Sequence, residues 1–176
     1  TWASGIAPTD VIALANTARA KAGLPALSEN AKLSAAARNK AEDMLKNDYF
    51  AHTSPQGVTP WSWIKQAGYQ YKAAGENLAI NYTSADEQHS AWMKSATHRA
   101  NILNAEYQEI GVAVVKGKID GQESIVTVEF FGTPVYAAAD KTIPVPPVIE
   151  EPAPSAVKGT EVRSAAGVPL SDIENP

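Results

Sequence analysis

Three histidines, one glutamate set in a small apolar run and no cysteine are the chemical raw material of this 176-residue chain. His52 lies in YFAHTSP, His98 in KSATHRANIL and Glu76 in AGENLAI. Glutamate is almost never fully buried without a partner, so a carboxylate in a strand-like apolar stretch implies that something pairs with it. Imidazole nitrogens can ligate a metal ion or move a proton, and a carboxylate can ligate beside them or orient their rings. Neither His52 nor His98 falls on an apolar periodic face, which weakens a plain core role for both. His89 lies in the charged, alanine-rich SADEQHSAWM and reads as a solvated helix position.

The spacing of these residues excludes several chemistries. There is no HExxH, and no two histidines lie one helical turn apart, so a metal site must be assembled from distant segments. No GxSxG elbow is present, and Ser54 and Ser95 lie within a few residues of a histidine in a chain rich in serine, a proximity close to chance. Gly75 stands alone rather than in a GxGxxG fingerprint.

Composition bounds the rest. Hydrophobic residues make up 44% and charged ones 19%, a globular balance. No apolar run approaches the roughly 18 to 20 residues that cross a bilayer. The chain opens at Thr1, as a processed product would, so a signal peptide is expected to have been removed already. The net charge of −4 divides into −3 from Thr133 onward and −1 before it. A nearly neutral body with no basic patch argues against nucleic acid as a partner.

The elements that must hold these residues are announced by caps and periodicity. Thr9 and Asp10 start a first helix with Val11, Leu14, Ala15 and Ala18 on one face, stopped by Gly23 and Pro25. Ser28 is expected to cap a second, carrying Leu33, Ala37, Ala41, Met44 and Leu45. Thr59 with Pro60 opens a third that ends at Gly68, and Ser84 with Glu87 forms a capping box for a fourth running through Trp92. Residues 69 to 82 read as an irregular strand, and IGVAVV and SIVTVEFF are strands joined by an Asp120-Gly121 turn. The fold class is α+β, with a mostly antiparallel sheet and helices packed on it. Eight of 12 prolines lie in 133–176, which marks a boundary near Gly132: a body at 1–132, then a proline-rich acidic tail or linker. Its segment TIPVPPVIEEPAP cannot form a continuous ladder and reads as a polyproline-like spacer or a strap docked on the body.

HTSPQGVTPW, GYQYKAAGENLA, AWMKSATHRANILNAEYQEIGVAVV and VTVEFFG, in that order, resemble the signatures of the CAP superfamily. That group covers cysteine-rich secretory proteins, antigen 5 and plant pathogenesis-related 1 proteins, and this chain resembles its cysteine-free bacterial branch. The resemblance spans roughly residues 8 to 132. It implies an α-β-α sandwich, a secreted or cell-surface location, and a central cleft lined by two histidines and two acids. His52 and His98 match the two histidines, and Glu76 the glutamate of the family's GEN motif. The second acid falls near Ser95, so the tetrad is incomplete. Glu129 shares a strand face with Thr127 and Phe131 and could supply the missing acid if that face meets the cleft; otherwise it is an ordinary solvent-facing residue. Asn77 is expected to be structural, and Arg99 to be solvated or paired with a local carboxylate.

The resemblance thus implies a non-enzymatic cleft in which His52 and His98, with Glu76, hold a divalent metal such as zinc or a small ligand. A sterol or lipid module is the alternative, with Trp61, Trp63, Ile64 and Tyr69 lining a pocket or simply packing the core. Hydrolysis through Ser54, Ser95 or a metal-activated water is the third. Expected partners are a small ligand or lipid, or an extracellular or cell-envelope protein.

Overall fold

Most of the start and stop signals lie at real element ends in the computed structural model, which describes residues 5–135 and 158–163. Pro8 takes the first position of α1 (Pro8–Lys21), and Gly23 ends it with φ 72°. The buried face of α1 is rotated from the expected one: Val11, Ile12, Ala15 and Arg19 are inside, while Leu14 and Ala18 are half-buried. Ser28 does not cap the second helix; it forms the two-residue β1 (Ser28–Glu29). Asn30 caps α2 (Ala31–Lys46) instead, accepting from the backbone N–H of Lys32 and Leu33. Pro60 opens α3 (Pro60–Gln66), and Gly68 at φ 77° follows its end. The sheet's middle begins with β2 (Tyr71–Ile80). Ser84 accepts from the Glu87 N–H at 3.4 Å and caps α4 (Ala85–Lys94).

Sequence periodicity did not announce the next element. Ser95, extended at φ −87° and ψ 121°, breaks the chain only briefly before α5 (Ala96–Ile102), so His98 sits on a fifth helix rather than in a loop. Then β3 (Glu109–Ile119) and β4 (Gln122–Pro134) form the expected hairpin. Asp120 and Gly121 turn with φ 51° and 74°, the left-handed pair that matches strand twist. Last comes β5 (Lys158–Arg163).

The sheet order is β1-β3-β4-β2-β5. The three long strands are antiparallel, and the short edge strands β1 and β5 add to them in parallel. One face of the sheet packs Ala74, Leu78, Ala113, Val126, Val128 and Phe130 against α2 and α3 through Leu33, Ala37, Met44 and Ile64. The other packs Ala79, Ile110, Val112 and Phe131 against α1, α4 and α5 through Val11, Ala15, Trp92 and Ile102. The result is the α-β-α sandwich. Gly111 lets α2 lie close on β3, since a Cβ there would come within 2.2 Å of the Ser34 nitrogen. Of the tail placed at 133–176, residues 133–135 and Lys158–Arg163 lie among the described residues, and β4 runs through Pro134; the whole polyproline-like segment lies outside them.

Candidate functional site

Alternation along β2 sends Glu76 to the α2 side of the sheet and its neighbour Asn77 to the α5 side. Each side carries its own polar cluster, and the Glu76–Asn77 backbone joins them.

On the α2 side, His52 stands just past the end of that helix, and its Nδ1 lies 2.5 Å from Glu76 Oε1. A carboxylate accepts, so Nδ1 carries the proton and Nε2 is left as the acceptor or ligand atom. His52 Nε2 is buried and makes no hydrogen bond with a described residue. Lys40, a residue not singled out from sequence, completes the group. Its ammonium donates to Glu76 Oε1 at 2.9 Å, lies 2.6 Å from Oε2, and donates to the His52 carbonyl at 2.5 Å. Lys40 and Glu76 side chains are both 0% exposed, whereas His52 retains 25%. Glu76 is therefore a buried carboxylate whose partners are an ammonium and an imidazole.

On the α5 side, Asn77 donates to Glu129 Oε2 at 2.9 Å and to the His98 carbonyl at 3.3 Å. Asn101 donates to the Asn77 amide oxygen at 2.9 Å and to the Glu76 carbonyl at 3.1 Å, tying α5 to β2. The His98 ring stacks on Trp92 with centroids 6.4 Å apart, and its Nδ1 lies 2.7 Å from Ser95 Oγ. Ser95, placed where an acid was expected, is thus the hydroxyl partner of the second imidazole.

The expectation for Glu129 is corrected. It is not solvent-facing: it is 0% exposed, on the sheet face opposite Glu76, paired across strands with Asn77, whose amide also donates to the His98 carbonyl. Burial pushes its carboxyl up to about 8, against the lowering effect of the Asn77 bond, so it is protonated at neutral pH. Asn77 is structural, as expected. Arg99 is exposed and donates to the Met93 carbonyl at 3.0 Å rather than pairing with an acid. His89 is half-buried rather than solvated, and burial lowers its pKa. Ser54 is buried in a turn, its hydroxyl accepting from the Val58 N–H at 3.0 Å. Ile64 and Tyr69 are core residues, with Trp61 and Trp63 packed against them.

These groups do not make a conventional metal centre. Among the described residues no set of three or more His, Asp or Glu side chains is placed to hold a metal ion. Lys40 also sets a positive charge against the one carboxylate near His52.

The sequence profile of the CAP, or cysteine-rich secretory protein, family matches residues 12–130. The uncharacterized protein YkwD of Bacillus subtilis is 41% identical over 122 residues, covering 69% of this chain and 46% of YkwD. The uncharacterized membrane protein YlbC of the same organism is 32% identical over 104 residues, 59% of this chain and 30% of YlbC. The chain thus spans less than half the length of either relative. An extracellular protein containing an SCP domain from Bacillus anthracis superposes with TM-score 0.61 at 27% identity, covering 70% of this chain and 39% of that one. An outer surface protein of Borrelia burgdorferi shares the fold, with TM-score 0.62 at 22% identity over 72% of this chain and 91% of its own. No helix among the described residues is long and apolar enough to cross a membrane. With its profile match, its α-β-α sandwich and its GEN strand between two histidines, the chain belongs to the CAP family, in the cysteine-free branch.

Proposed function

We propose that this is a non-enzymatic binding domain that acts outside the cytoplasm and engages a small polar ligand at His52, with His98 buried on the other face of the sheet. One observation carries the reading: Glu76 fixes His52 through Nδ1, with Lys40 holding Glu76, and leaves Nε2 as a buried polar atom without a hydrogen bond on a ring that is 25% exposed overall. Ser95 Oγ contacts the second imidazole at Nδ1 without fixing its tautomer, because a hydroxyl can donate or accept. The ligand is recognised by hydrogen bonds to imidazole in a cluster where Lys40 and Glu76 cancel in charge. The extracytoplasmic placement rests on the relatives described as extracellular.

Zinc is the sharpest probe, because one imidazole beside a neutralised carboxylate binds it weakly. Calorimetric titration at neutral pH is expected to give at most weak heat, reduced by His52→Ala. Tight binding abolished by His52→Ala and by His98→Ala would replace this reading with a resident metal site. Native mass spectrometry is expected to show no retained lipid, in keeping with Ile64 and Tyr69 being packed in the core.

The Ser95–His98 contact favours hydrolysis as a second reading. A serine-directed fluorophosphonate is expected to leave Ser95 unmodified; labelling that His98→Ala abolishes would establish an esterase-like site instead.

A further inference from the structure

The outer edge of β2 is covered by a segment of the tail. Lys158–Arg163 pairs in parallel with Gly75–Ile80, setting Gly159 beside Glu76 and Thr160 beside Asn77. Helix α5 packs alongside β5. The strand that carries both polar clusters therefore has its last row of backbone donors and acceptors satisfied by a distant piece of chain.

We infer that the outer edge of β2 is a binding site for an extended peptide, taken in parallel register, and that Lys158–Arg163 fills it in cis as a releasable pseudo-ligand. Three observations carry this. First, the tether is long: 23 residues separate Pro134 from Lys158. Pro134 lies opposite Tyr71 and Lys158 opposite Gly75, a span of only four residues along β2. The tether can extend to roughly 75 Å, whereas that offset is about 13 Å. A connection several times longer than the crossover requires permits departure and return. Second, five prolines between 144 and 154 cannot join the ladder themselves, which leaves KGTEVR as the strand-competent segment of this stretch. Third, the register places a glycine beside Glu76. Neighbouring residues in register share a sheet face, so a larger side chain there would stand toward Lys40, Glu76 and His52. The site thus selects an extended peptide with a small residue at that position, and it binds main chain first and side chains second.

A tethered segment works at an effective concentration near the millimolar range, so the free peptide needs only modest affinity to compete. Parallel edge pairing is also the weaker kind. The pairing of main chain at this edge does not depend on what ligand His52 binds.

The test uses the full chain carrying Thr160→Pro and Glu161→Pro, which removes a donor from each alternate set along β5. Hydrogen exchange followed by NMR is expected to show lost protection only at the amides of Gly75–Ile80 that face β5, with the body's spectrum otherwise unchanged. Adding a synthetic peptide of residues 157–164 is expected to restore that protection saturably at about millimolar concentration. A peptide with Gly159→Leu should bind at least about tenfold more weakly. Unchanged protection in the double variant would overturn the proposal, as would no saturable shift with the peptide, or equal binding of a scrambled peptide. Gly159→Leu in the intact chain keeps every backbone donor and is expected to raise exchange at the same amides; unchanged exchange there also counts against it.

Discussion

At the scale of single residues, the molecule separates two glutamates by giving them different neighbours. Glu76 is buried with an ammonium and an imidazole; Glu129 is buried with one amide. Breaking the first arrangement leaves a charge stranded. Lys40→Met is expected to cost about 3–5 kcal/mol in urea unfolding, and adding Glu76→Gln should recover part of that loss. A loss under about 1 kcal/mol for Lys40→Met would mean that the pair is not buried in solution. Glu129 gives a pH signature of known sign. Its folded pKa of about 8 is raised above the ordinary 4.5 by burial, so between these values the folded state holds a proton that the unfolded state has released. Stability therefore falls as pH rises through that window, by up to about 1.4 kcal/mol per unit from this group. Glu129→Gln is expected to flatten the slope and raise stability at pH 7, read from melting curves between pH 5 and 8. Histidine and glutamate at 52 and 76 were legible from their motifs. Lys40 was missed although its signal was present: it lies three residues after Ala37 and four before Met44, inside an apolar face where an unpaired lysine would not survive.

At the scale of elements, buried polar pins hold the helices to the sheet beneath the site. Arg19 is 1% exposed and donates to the carbonyls of Pro25, Ile102, Asn104 and Tyr107, linking α1 to the segment after α5. Arg19→Ala strands those carbonyls and should cost on the order of 3 kcal/mol, with lost exchange protection concentrated around residues 102–108. Gly111→Ala is expected to destabilise by roughly 1–3 kcal/mol or more, because its Cβ meets the α2 backbone rather than a movable side chain. Stability within about 0.5 kcal/mol of the parent would show that α2 sits farther from β3. Local signals explain why most helix ends could be read: Pro60 and Ser84 act locally, and Thr9 and Asp10 lie in the first turn of α1, just after its Pro8 start. α5 and β1 could not, because a seven-residue helix and a two-residue strand have no period to display and exist through tertiary contacts.

At the scale of the whole molecule, the sheet divides the polar residues into two clusters and β2 holds them in register. The α+β class followed from element order, whereas the α-β-α sandwich was implied by the family resemblance. The β3–β4 hairpin was legible because alternation and the Asp120-Gly121 turn specify it without distant help. The docking of KGTEVR was not, since a polar hexapeptide becomes a strand only where an open edge supplies partners. The division of Glu76 and Glu129 between faces also needed the three-dimensional register, because the two acids come from different strands.

Glu76 fixes the proton of His52 on Nδ1 and leaves the buried Nε2 as an unpaired acceptor. Long-range ¹H–¹⁵N correlation spectra of the full chain at about pH 9, where imidazole is ordinarily neutral, read this directly. His52 is expected to be the Nδ1–H tautomer, and Glu76→Ala to return it to the mixture of a free imidazole. An Nε2–H tautomer at His52, or a spectrum indifferent to Glu76→Ala, would contradict that assignment.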